Sequence, residues 1–440
     1  MWIPSLKDDM INVNIITLGC AKNLVDSEYL SRQLSRNGYQ VTHEGALPCD
    51  VMIINTCGFI NDAKQESVET ILEYAQKKEQ GDISRLYVMG CLSQRYRQEL
   101  AREIPEVDGF FGVYEQHSIL ESLQANFYED SRHQRQLATP AHYAYLKVAE
   151  GCNRKCSFCS IPLIKGNYNS KSIEELQKEA DYLAGNGVKE LNLIAQDLSY
   201  YGRDLYSRNR LSDLLNVLEQ MEAFDWIRLL YAYPAGFPTR VLDRMGGSAS
   251  ICHYLDIPIQ HISDRLLKRM RRGHDRKQTE QLINLIKSKV PDVTLRTTLL
   301  VGYPGERDRD FSELMEFVGQ VRFDRLGVFT YSEEEGTYSE RHEKDDVPEH
   351  VKRERADELM ALQQEIALEK NQQMVGKKMR VLVDEADEHY IYARSAADAP
   401  EVDNGVIIPA NNGTTMEPGN FYDVIITEAT DYDLYARPDS

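Results

Sequence analysis

The chain has 440 residues, of which 42% are hydrophobic, and its 70 acidic and 51 basic residues give a formal net charge of −19. This length predicts about three domains, and the acidic balance disfavours nonspecific attraction to nucleic acid or anionic membranes while favouring a basic partner. No stretch approaches the ~18 apolar residues of a membrane span. The start, Met1 to Asp9, lacks the basic and apolar regions of a signal peptide. We therefore expect a cytoplasmic protein that does not enter the membrane.

The first region, residues 1–128, alternates between strand and helix patterns. Strand patterns lie at 13–18, 51–55 and 85–89, and helical patterns lie at 27–37 and 62–78. Strands separated by helices of this length predict a parallel α/β sheet.

Three cysteines share one position in this predicted sheet. Cys20, Cys57 and Cys91 each follow one of the three strands by one or two residues, and a glycine lies beside each thiol. Open parallel sheets place their ligands at the carboxyl ends of the strands, so the three thiols can converge on one point. Three buried structural cysteines are the alternative. Without an export signal, the eight cysteines of the chain do not argue for disulfides.

A polar segment, residues 129–140, has no apolar period and predicts a linker. The following region, residues 141–374, predicts a (β/α)6 partial barrel, because helical patterns separate six strand patterns. These strand patterns lie at 144–150, 190–195, 226–231, 254–257, 294–301 and 326–330. Catalytic groups of such barrels lie at the carboxyl ends of the strands. The polar candidates assigned to these ends are Gln196, Asp197, Gln260 and Arg296.

The first barrel strand leads into a cysteine loop, Cys152-Asn-Arg-Lys-Cys156-Ser-Phe-Cys159. Each iron of a [4Fe-4S] cube takes a thiolate in ferredoxins. A loop with three cysteines suits a cluster whose fourth iron holds an exogenous ligand, as the amino and carboxylate groups of S-adenosylmethionine would. Zinc sites usually show two C-x2-C pairs or Cys/His pairs, which this loop lacks. The spacing, with Phe158 before the last cysteine, resembles the radical SAM superfamily.

A helical pattern at 349–373 leads to a terminal region, residues 375–440, that predicts a small β-barrel from short strand patterns. These lie at 379–383, 390–393, 405–408 and 421–426. The region resembles a TRAM domain, an OB-like barrel usually associated with RNA binding. From residue 376 onward, however, it carries thirteen acidic and five basic residues. An RNA-binding barrel should present basic groups to phosphate, whereas an acidic barrel would attract a basic protein. A solvated acidic surface without a partner is the alternative.

The whole chain resembles the methylthiotransferase family, which combines an N-terminal α/β domain with three dispersed cysteines, a radical SAM core and a TRAM barrel. The resemblance implies two [4Fe-4S] clusters, each with an open iron, and S-adenosylmethionine held by strand-end groups; it implies no catalytic side chain. The implied cluster ligands are Cys152, Cys156 and Cys159 for one cluster and Cys20, Cys57 and Cys91 for the other. The implied S-adenosylmethionine contacts are Phe158, Gln196, Asp197, Gln260 and Arg296.

The segments 329–337 and 392–403 resemble the branch of the family that adds a methylthio group to the β-carbon of an aspartate of ribosomal protein S-twelve. The expected partners are this basic protein, free or on the small ribosomal subunit, and an electron donor such as flavodoxin or ferredoxin. Direct binding of tRNA is disfavoured by the acidic barrel. A tRNA adenosine (isopentenyladenosine-type) methylthiotransferase is the alternative with the same chemistry. A nonenzymatic carrier of electrons with two clusters is the alternative from another class.

Overall fold

A computed structural model describes residues 10–410 and 415–439 of the chain. The start of the chain, on which the prediction about a signal peptide rests, lies outside these residues. The chain divides into two compact units. The first runs to Ala138 and adds residues 150–153 and 160–168, and the second comprises residues 139–149, 154–159 and the chain from Asn169 onward. Cys152 therefore belongs to the first unit, and Cys156 and Cys159 belong to the second.

The first unit is built on a parallel five-stranded sheet with the order β2-β1-β3-β4-β5. Its strands are β1 (Asn12–Thr17), β2 (Gln40–His43), β3 (Cys49–Thr56), β4 (Ile83–Gly90) and β5 (Gly109–Phe110). Its helices are α1 (Ala21–Arg36), α2 (Asn61–Glu79), α3 (Cys91–Glu103), α4 (Gln116–Ser122) and α5 (Ile161–Lys165), with a 3₁₀ turn at Glu129–Ser131. The predicted parallel α/β sheet is confirmed.

The central strands of this sheet are buried on both faces, as the continuous apolar run in β3 requires. The polar segment after α4 packs on the same unit. Arg135, which has no exposed side-chain surface, pairs with Glu28 of α1 at 2.8 Å between Nη1 and Oε2. Ala138, three residues later, donates its backbone N–H to the other oxygen of Glu28 at 2.9 Å. This part of the segment is therefore attached to α1.

The second unit contains the predicted six-stranded parallel sheet, with the order β6-β9-β10-β11-β12-β13. Its first strands and helices are β6 (Tyr143–Lys147), β7 (Ala149–Glu150, the second residue of which is in the first unit), β8 (Asn169–Ser170), α6 (Ile173–Gly185), β9 (Glu190–Ile194), α7 (Arg203–Tyr206), α8 (Leu211–Gln220), β10 (Trp226–Leu229), α9 (Arg240–Met245) and β11 (Ile251–Asp256), with a 3₁₀ turn at Leu198–Tyr200. These are followed by α10 (Asp264–Arg269), α11 (Arg276–Lys289), β12 (Thr294–Val301), α12 (Asp308–Val321), β13 (Arg325–Thr330), α13 (Tyr338–His342) and α14 (Glu349–Gln372). Strands and helices alternate around an open sheet, which is the partial barrel expected from the sequence.

The second unit ends in a closed five-stranded barrel with the order β14-β15-β16-β18-β17. Its strands are β14 (Lys378–Ala386), β15 (Tyr390–Ser395), β16 (Val406–Pro409), β17 (Phe421–Ala429) and β18 (Leu434–Pro438). Buried aliphatic side chains fill it, for example Val381, Ile391 and Val424. The predicted small β-barrel is confirmed.

Buried ion pairs attach this small barrel to the six-stranded sheet. Glu190, the first residue of β9, accepts hydrogen bonds from Arg228 at 2.9 Å and from Arg394 of β15 at 2.7 Å. Arg325, the first residue of β13, donates to Asp398 at 2.6 Å. These contacts lie near the amino ends of the strands, opposite the carboxyl ends at which the predicted cofactor-binding residues were expected. None of the helices in residues 10–410 and 415–439 carries an apolar stretch that could span a bilayer.

Candidate functional site

The three cysteines of the first unit lie at the carboxyl ends of adjacent strands. Cys20 follows β1 and immediately precedes α1, Cys57 follows β3, and Cys91 is the first residue of α3 directly after β4. Glycines allow their loops to approach closely: a Cβ on Gly19 would lie 3.0 Å from Sγ of Cys57, and a Cβ on Gly58 would lie 2.7 Å from the backbone nitrogen that follows Cys91. The structure therefore places the three cysteine loops next to one another.

A buried amide, Asn23, connects the three cysteine loops. Its Nδ2 donates to the carbonyl of Leu18, two residues before Cys20, at 3.0 Å, and to the carbonyl of Thr56, next to Cys57, at 3.1 Å. Its Oδ1 accepts the thiol of Cys91 at 3.7 Å. One side chain in the first turn of α1 thus positions all three strand ends.

Burial raises the pKa values of two of these thiols. The pKa of Cys91 is raised to about 12, with the ammonium group of Lys165 acting in the opposite direction. The pKa of Cys57 is also raised by burial, against hydrogen bonds from the backbone at Phe59 and Gly58. Ser67 further fixes Cys57, because its hydroxyl donates to the carbonyl of Cys57 and accepts from its N–H.

The three thiols lie in adjacent loops but do not surround a position for one ion. In the described residues, no three or more His, Cys, Asp or Glu side chains surround a position that could hold one metal ion. An iron–sulfur cube separates its ligand sulfurs more widely than one ion does, and it takes thiolates as ligands. Three thiols in adjacent, glycine-lined loops fit such a group by their donor chemistry.

The C-x3-C-x2-C loop starts in a tight turn. Gly151 has a φ of +78°, and a Cβ there would lie 2.2 Å from the carbonyl oxygen of Asn167, so only glycine fits. The backbone N–H of Cys152 donates to the carbonyl of Gly166 at 3.1 Å. The first cysteine of the loop is therefore held by the segment that follows α5.

Cys156 lies beside a buried cation and a phenol in the second unit. Its Sγ is 3.2 Å from Nη1 of Arg272 and 3.4 Å from the hydroxyl of Tyr233. Arg272 is 5% exposed. Burial lowers its pKa, but Cys156 and Tyr233 raise it above the ordinary value of an arginine. This guanidinium therefore stays charged and can donate to a thiolate at position 156.

Asp197 lies near this group through Arg154. Nε of Arg154 donates to Oδ2 of Asp197 at 2.7 Å, and its guanidinium lies 4.1 Å from the ring centre of Tyr233. Asp197 is buried and also accepts from Ser199 at 2.5 Å. Gln196, directly after β9, is half-buried. Both residues lie just after the carboxyl end of β9, as the strand pattern predicts.

Gln260 and Phe158 occupy two other places in this unit. Gln260 adopts a left-handed φ of +71°, which is costly for a residue with a side chain. Its backbone is fixed by β12, because it donates to Thr298 at 2.9 Å and accepts from Leu300 at 2.7 Å. Phe158 packs edge-on against Tyr303, with the ring centres 6.5 Å apart.

The expectation that Arg296 lies at a strand's carboxyl end is wrong. It is the third residue of β12, an eight-residue strand. Its guanidinium pairs with Asp256 at 3.2 Å and with Asp403 of the small barrel at 3.4 Å. The strand itself is predicted correctly. The pattern could not show that Asp403, 107 positions later, pairs with Arg296. Arg296 serves the attachment of the small barrel.

Comparisons with known proteins agree with this architecture. Family models match residues 12–112 (Uncharacterized protein family UPF0004), 146–318 (Radical SAM superfamily) and 375–438 (TRAM domain). A protein of Prosthecochloris aestuarii named ribosomal protein uS12 methylthiotransferase RimO is 51% identical over 98% of this chain and 99% of its own length. A protein of the same name from Christiangramia forsetii is 50% identical over 100% of this chain and 96% of its own. The chain belongs to the RimO family.

The fold of this RimO-family chain is also similar to a solved structure. The radical S-adenosylmethionine methyltransferase TsrM from Kitasatospora setae superposes with a TM-score of 0.53, covering 72% of each chain at 13% identity. At this identity the similarity concerns the fold alone. The family match confirms the predicted order of an N-terminal α/β domain, a radical SAM domain and a TRAM barrel.

Sequence reasoning missed the residues that position the cysteines. Asn23, Ser67 and Arg272 contact predicted ligands or their backbone, yet none belongs to a cysteine motif. One weak signal existed: asparagine is a poor helix former, and Asn23 lies three residues after Cys20 inside a helical turn. Arg272 lies in a polar stretch between α10 and α11, where no periodicity marks it.

Proposed function

We propose that this chain adds a methylthio group to the β-carbon of an aspartate of ribosomal protein uS12. The observation that carries the proposal is sequence identity of 50–51%, over nearly the full length of both chains, to proteins named as uS12 methylthiotransferases. The radical SAM family match and the cysteine loop support the reaction type. When bound, the cluster and S-adenosylmethionine supply the radical that removes hydrogen from an unactivated carbon, which side-chain acids and bases cannot do.

Cys152, Cys156 and Cys159 would hold the cluster that binds S-adenosylmethionine. The fit is supported by three thiols in one loop and by Arg272, whose charged guanidinium would donate to the Cys156 thiolate and offset part of its negative charge. A hydrogen bond to a ligand sulfur is one of the properties that set a cluster's potential. A small electron-transfer protein such as flavodoxin or ferredoxin would supply the electron.

S-adenosylmethionine would be bound at the carboxyl ends of the barrel strands. Gln196 lies just after β9, and Gln260 lies four residues after β11 and bridges to Leu299 of β12. Phe158 provides an apolar surface next to Cys159. Asp197 acts on this site through Arg154, because its carboxylate is already engaged by that guanidinium. We do not assign Arg296 to the cofactor, since its partners lie toward the small barrel.

Cys20, Cys57 and Cys91 would hold a second [4Fe-4S] cluster, with an open iron to carry the sulfur that is transferred. Three thiols from three adjacent strand ends, two of them buried, match the donor set of such a cluster. Asn23 would keep the strand ends in place while the thiols turn from hydrogen bonding to ligation.

A surface of the small barrel supports a basic protein as the substrate. The end of β14, the turn that follows it and the start of β15 present exposed side chains, which we call the acidic hairpin: Glu385, Asp387, Glu388, Tyr390 and Tyr392. Carboxylates attract cationic side chains, and tyrosine rings bind them through cation–π contacts of about 0.5–1 kcal/mol. The same carboxylates would repel the phosphates of a tRNA.

The direct test is a competition between the two substrate classes. The reconstituted, reduced protein is incubated without oxygen with S-adenosylmethionine, sulfide, uS12 and tRNA together, and both polymers are examined by mass spectrometry. We expect one methylthio group on an aspartate of uS12 and none on tRNA. Modification of tRNA adenosine alone would move this chain to the tRNA branch. Modification of neither, with S-adenosylmethionine still consumed, would leave the radical chemistry and contradict both substrates.

A further inference from the structure

A buried lysine directly follows Ile164, whose side chain packs in one buried cluster with Cys91 of the first unit. Lys165, the last residue of α5, is 3% exposed. Its Nζ is 3.6 Å from Oδ2 of Asp26 and 3.4 Å from Oε2 of Glu150. Asp26 lies on α1, the helix that Cys20 precedes, and Glu150 lies two residues before Cys152. Burying a cation here carries a desolvation penalty, which nearby negative charge must offset.

The negative charge around Lys165 includes the thiols as well as the carboxylates. Burial lowers the pKa of Lys165, but Asp26, Glu150, Cys91 and Cys20 raise it above its ordinary value, so the ammonium group persists. In return, Lys165 is the strongest influence that lowers the pKa of Cys91 against burial. The positive charge of Lys165 therefore favours the thiolate form of Cys91.

The arrangement is more than a packed ion pair. One ammonium group faces two carboxylates, so the trio keeps a formal charge of −1, and three thiolates would add to it. A cation in a strongly anionic, partly buried site acts through a low local dielectric, where its effect on a nearby charge is larger than in water.

We propose that Lys165 sets the reduction potential of the cluster held by Cys20, Cys57 and Cys91 by placing a permanent positive charge beside its ligands. The inference rests on the proposed function, because it requires that second cluster. Net charge near a cluster is one of the properties that fix its potential. A nearby cation stabilises the more negative, reduced form, so Lys165 raises the potential. It is a positioning residue and touches no reacting atom.

The test isolates the second cluster in the full-length chain. In a background with Cys152, Cys156 and Cys159 changed to Ala, the remaining cluster is titrated with a reductant and followed by electron paramagnetic resonance, and its iron content is determined. We expect Lys165→Met to lower the ratio of reduced to oxidised cluster at a fixed potential about tenfold, which is about 59 mV for one electron. Lys165→Arg should keep that ratio within about threefold of the parent.

A second variant tests the direction in which charge near Lys165 shifts the reduction potential. Asp26→Asn with Glu150→Gln removes negative charge around the same lysine and should raise the reduced-to-oxidised ratio. A merely structural role predicts that both variants disturb the cluster in the same direction. Lys352→Met is the matched control: Lys352 is also 3% exposed between two carboxylates, Asp345 at 2.7 Å and Glu349 at 3.6 Å, and no cysteine is among its partners. Its loss should leave the potential unchanged.

The outcomes separate this inference from the function on which it rests. An unchanged potential in Lys165→Met with full iron content would overturn the inference and leave the second cluster intact. If Lys165→Met loses its iron, the Asp26→Asn/Glu150→Gln protein decides, since an unchanged or lowered ratio there also overturns it. Absence of any cluster in the parent background, with Lys165 present, would instead contradict the proposed function and the inference together.

Discussion

At the scale of single residues, polar side chains that are not proposed cluster ligands hold the cysteine loops in place. Asn23 is 1% exposed and holds the part-buried carbonyl of Leu18, the buried carbonyl of Thr56 and the Cys91 thiol. We expect Asn23→Ala to lower the free energy of unfolding by roughly 1–3 kcal/mol, because buried carbonyls lose their donor. It should also lower the iron bound by the first unit. Both are measured on the reconstituted protein, by denaturant unfolding and iron analysis.

The same unit offers a control for this prediction. Asn14, also 1% exposed, exchanges hydrogen bonds with the backbone of Gly45 at 2.6 and 2.9 Å, and it contacts no cysteine loop in these bonds. Asn14→Ala should cost a similar free energy and retain iron. Equal iron loss in the two variants would mean that general loosening of the sheet, rather than the contacts of Asn23, releases the metal.

The buried His261 makes the stability of the second unit depend on pH. Nδ1 of His261 accepts the N–H groups of Ile262 and Ser263 at 2.9 and 3.0 Å, which requires an unprotonated nitrogen. Burial lowers the pKa of His261 from 6.5 to about 3. Between these values the unfolded chain binds a proton that the folded chain does not, so stability falls as the pH falls below 6.5.

From pH 7 to pH 5.5, His261 should therefore cost the fold about 1 kcal/mol. The measurement is denaturant unfolding followed by the fluorescence of Trp226 in a Trp2→Phe background, since the chain has two tryptophans. The His261→Gln protein should be less stable at pH 7 but lose about 1 kcal/mol less over this interval. Parallel pH profiles of the two proteins would show that His261 does not carry the effect.

The residues that could be predicted from the sequence are those whose chemistry needs a local spacing. The C-x3-C-x2-C loop is visible in eight residues, and Cys20, Cys57 and Cys91 follow from their places after strand patterns. Arg272 and Lys165 could not be predicted, because their partners lie far away along the chain. Arg296 shows the converse case: the pattern predicts a residue at a strand's carboxyl end, whereas the fold places it third in β12 and pairs it with the distant Asp403.

At the scale of elements, the acidic hairpin carries the proposed preference for a basic protein over an RNA. Changing Glu385, Asp387 and Glu388 together to Lys should weaken binding of uS12 roughly tenfold at low salt, since each exposed ion pair contributes about 0.2–1 kcal/mol and reversal adds repulsion. The difference should shrink as salt is raised. Binding is measured by titration calorimetry at two ionic strengths.

The long helix α14 supplies a control with the same change in net charge. Glu354, Asp357 and Glu358 are exposed on it, and their joint change to Lys should leave the affinity for uS12 within about threefold of the parent. Equal weakening by both triple variants would show that total charge, and not the acidic hairpin, attracts the protein.

Elements with strong periodicity could be predicted, and short ones could not. The pattern at 294–301 matches β12 residue for residue, and the helix expected at 349–373 is α14 to within one residue. The strands β2, β5, β8 and β18 were missed. They have four, two, two and five residues, and β2, β5 and β8 pair on one side only, so tertiary contacts rather than sequence pattern define them.

At the scale of the whole molecule, the two cysteine sets predict two separable duties. Changing Cys152, Cys156 and Cys159 to Ala should remove about half of the iron, since each cluster holds four irons, and should abolish cleavage of S-adenosylmethionine. Changing Cys20, Cys57 and Cys91 should also remove about half of the iron but retain cleavage, while sulfur transfer stops. Iron analysis and chromatography of the cleavage product check both. Cleavage that survives loss of the first set would contradict the assignment.

The central claim is that this chain modifies uS12, and the mass of uS12 in living cells tests it most directly. Ribosomes are isolated from cells that lack the gene and from the same cells carrying either the intact gene or its Cys20, Cys57 and Cys91 to Ala version. The account predicts a methylthio group on one aspartate of uS12 only when the intact gene is present. A methylthio group on uS12 in cells that lack the gene, or its absence when the intact gene is present, would contradict the account.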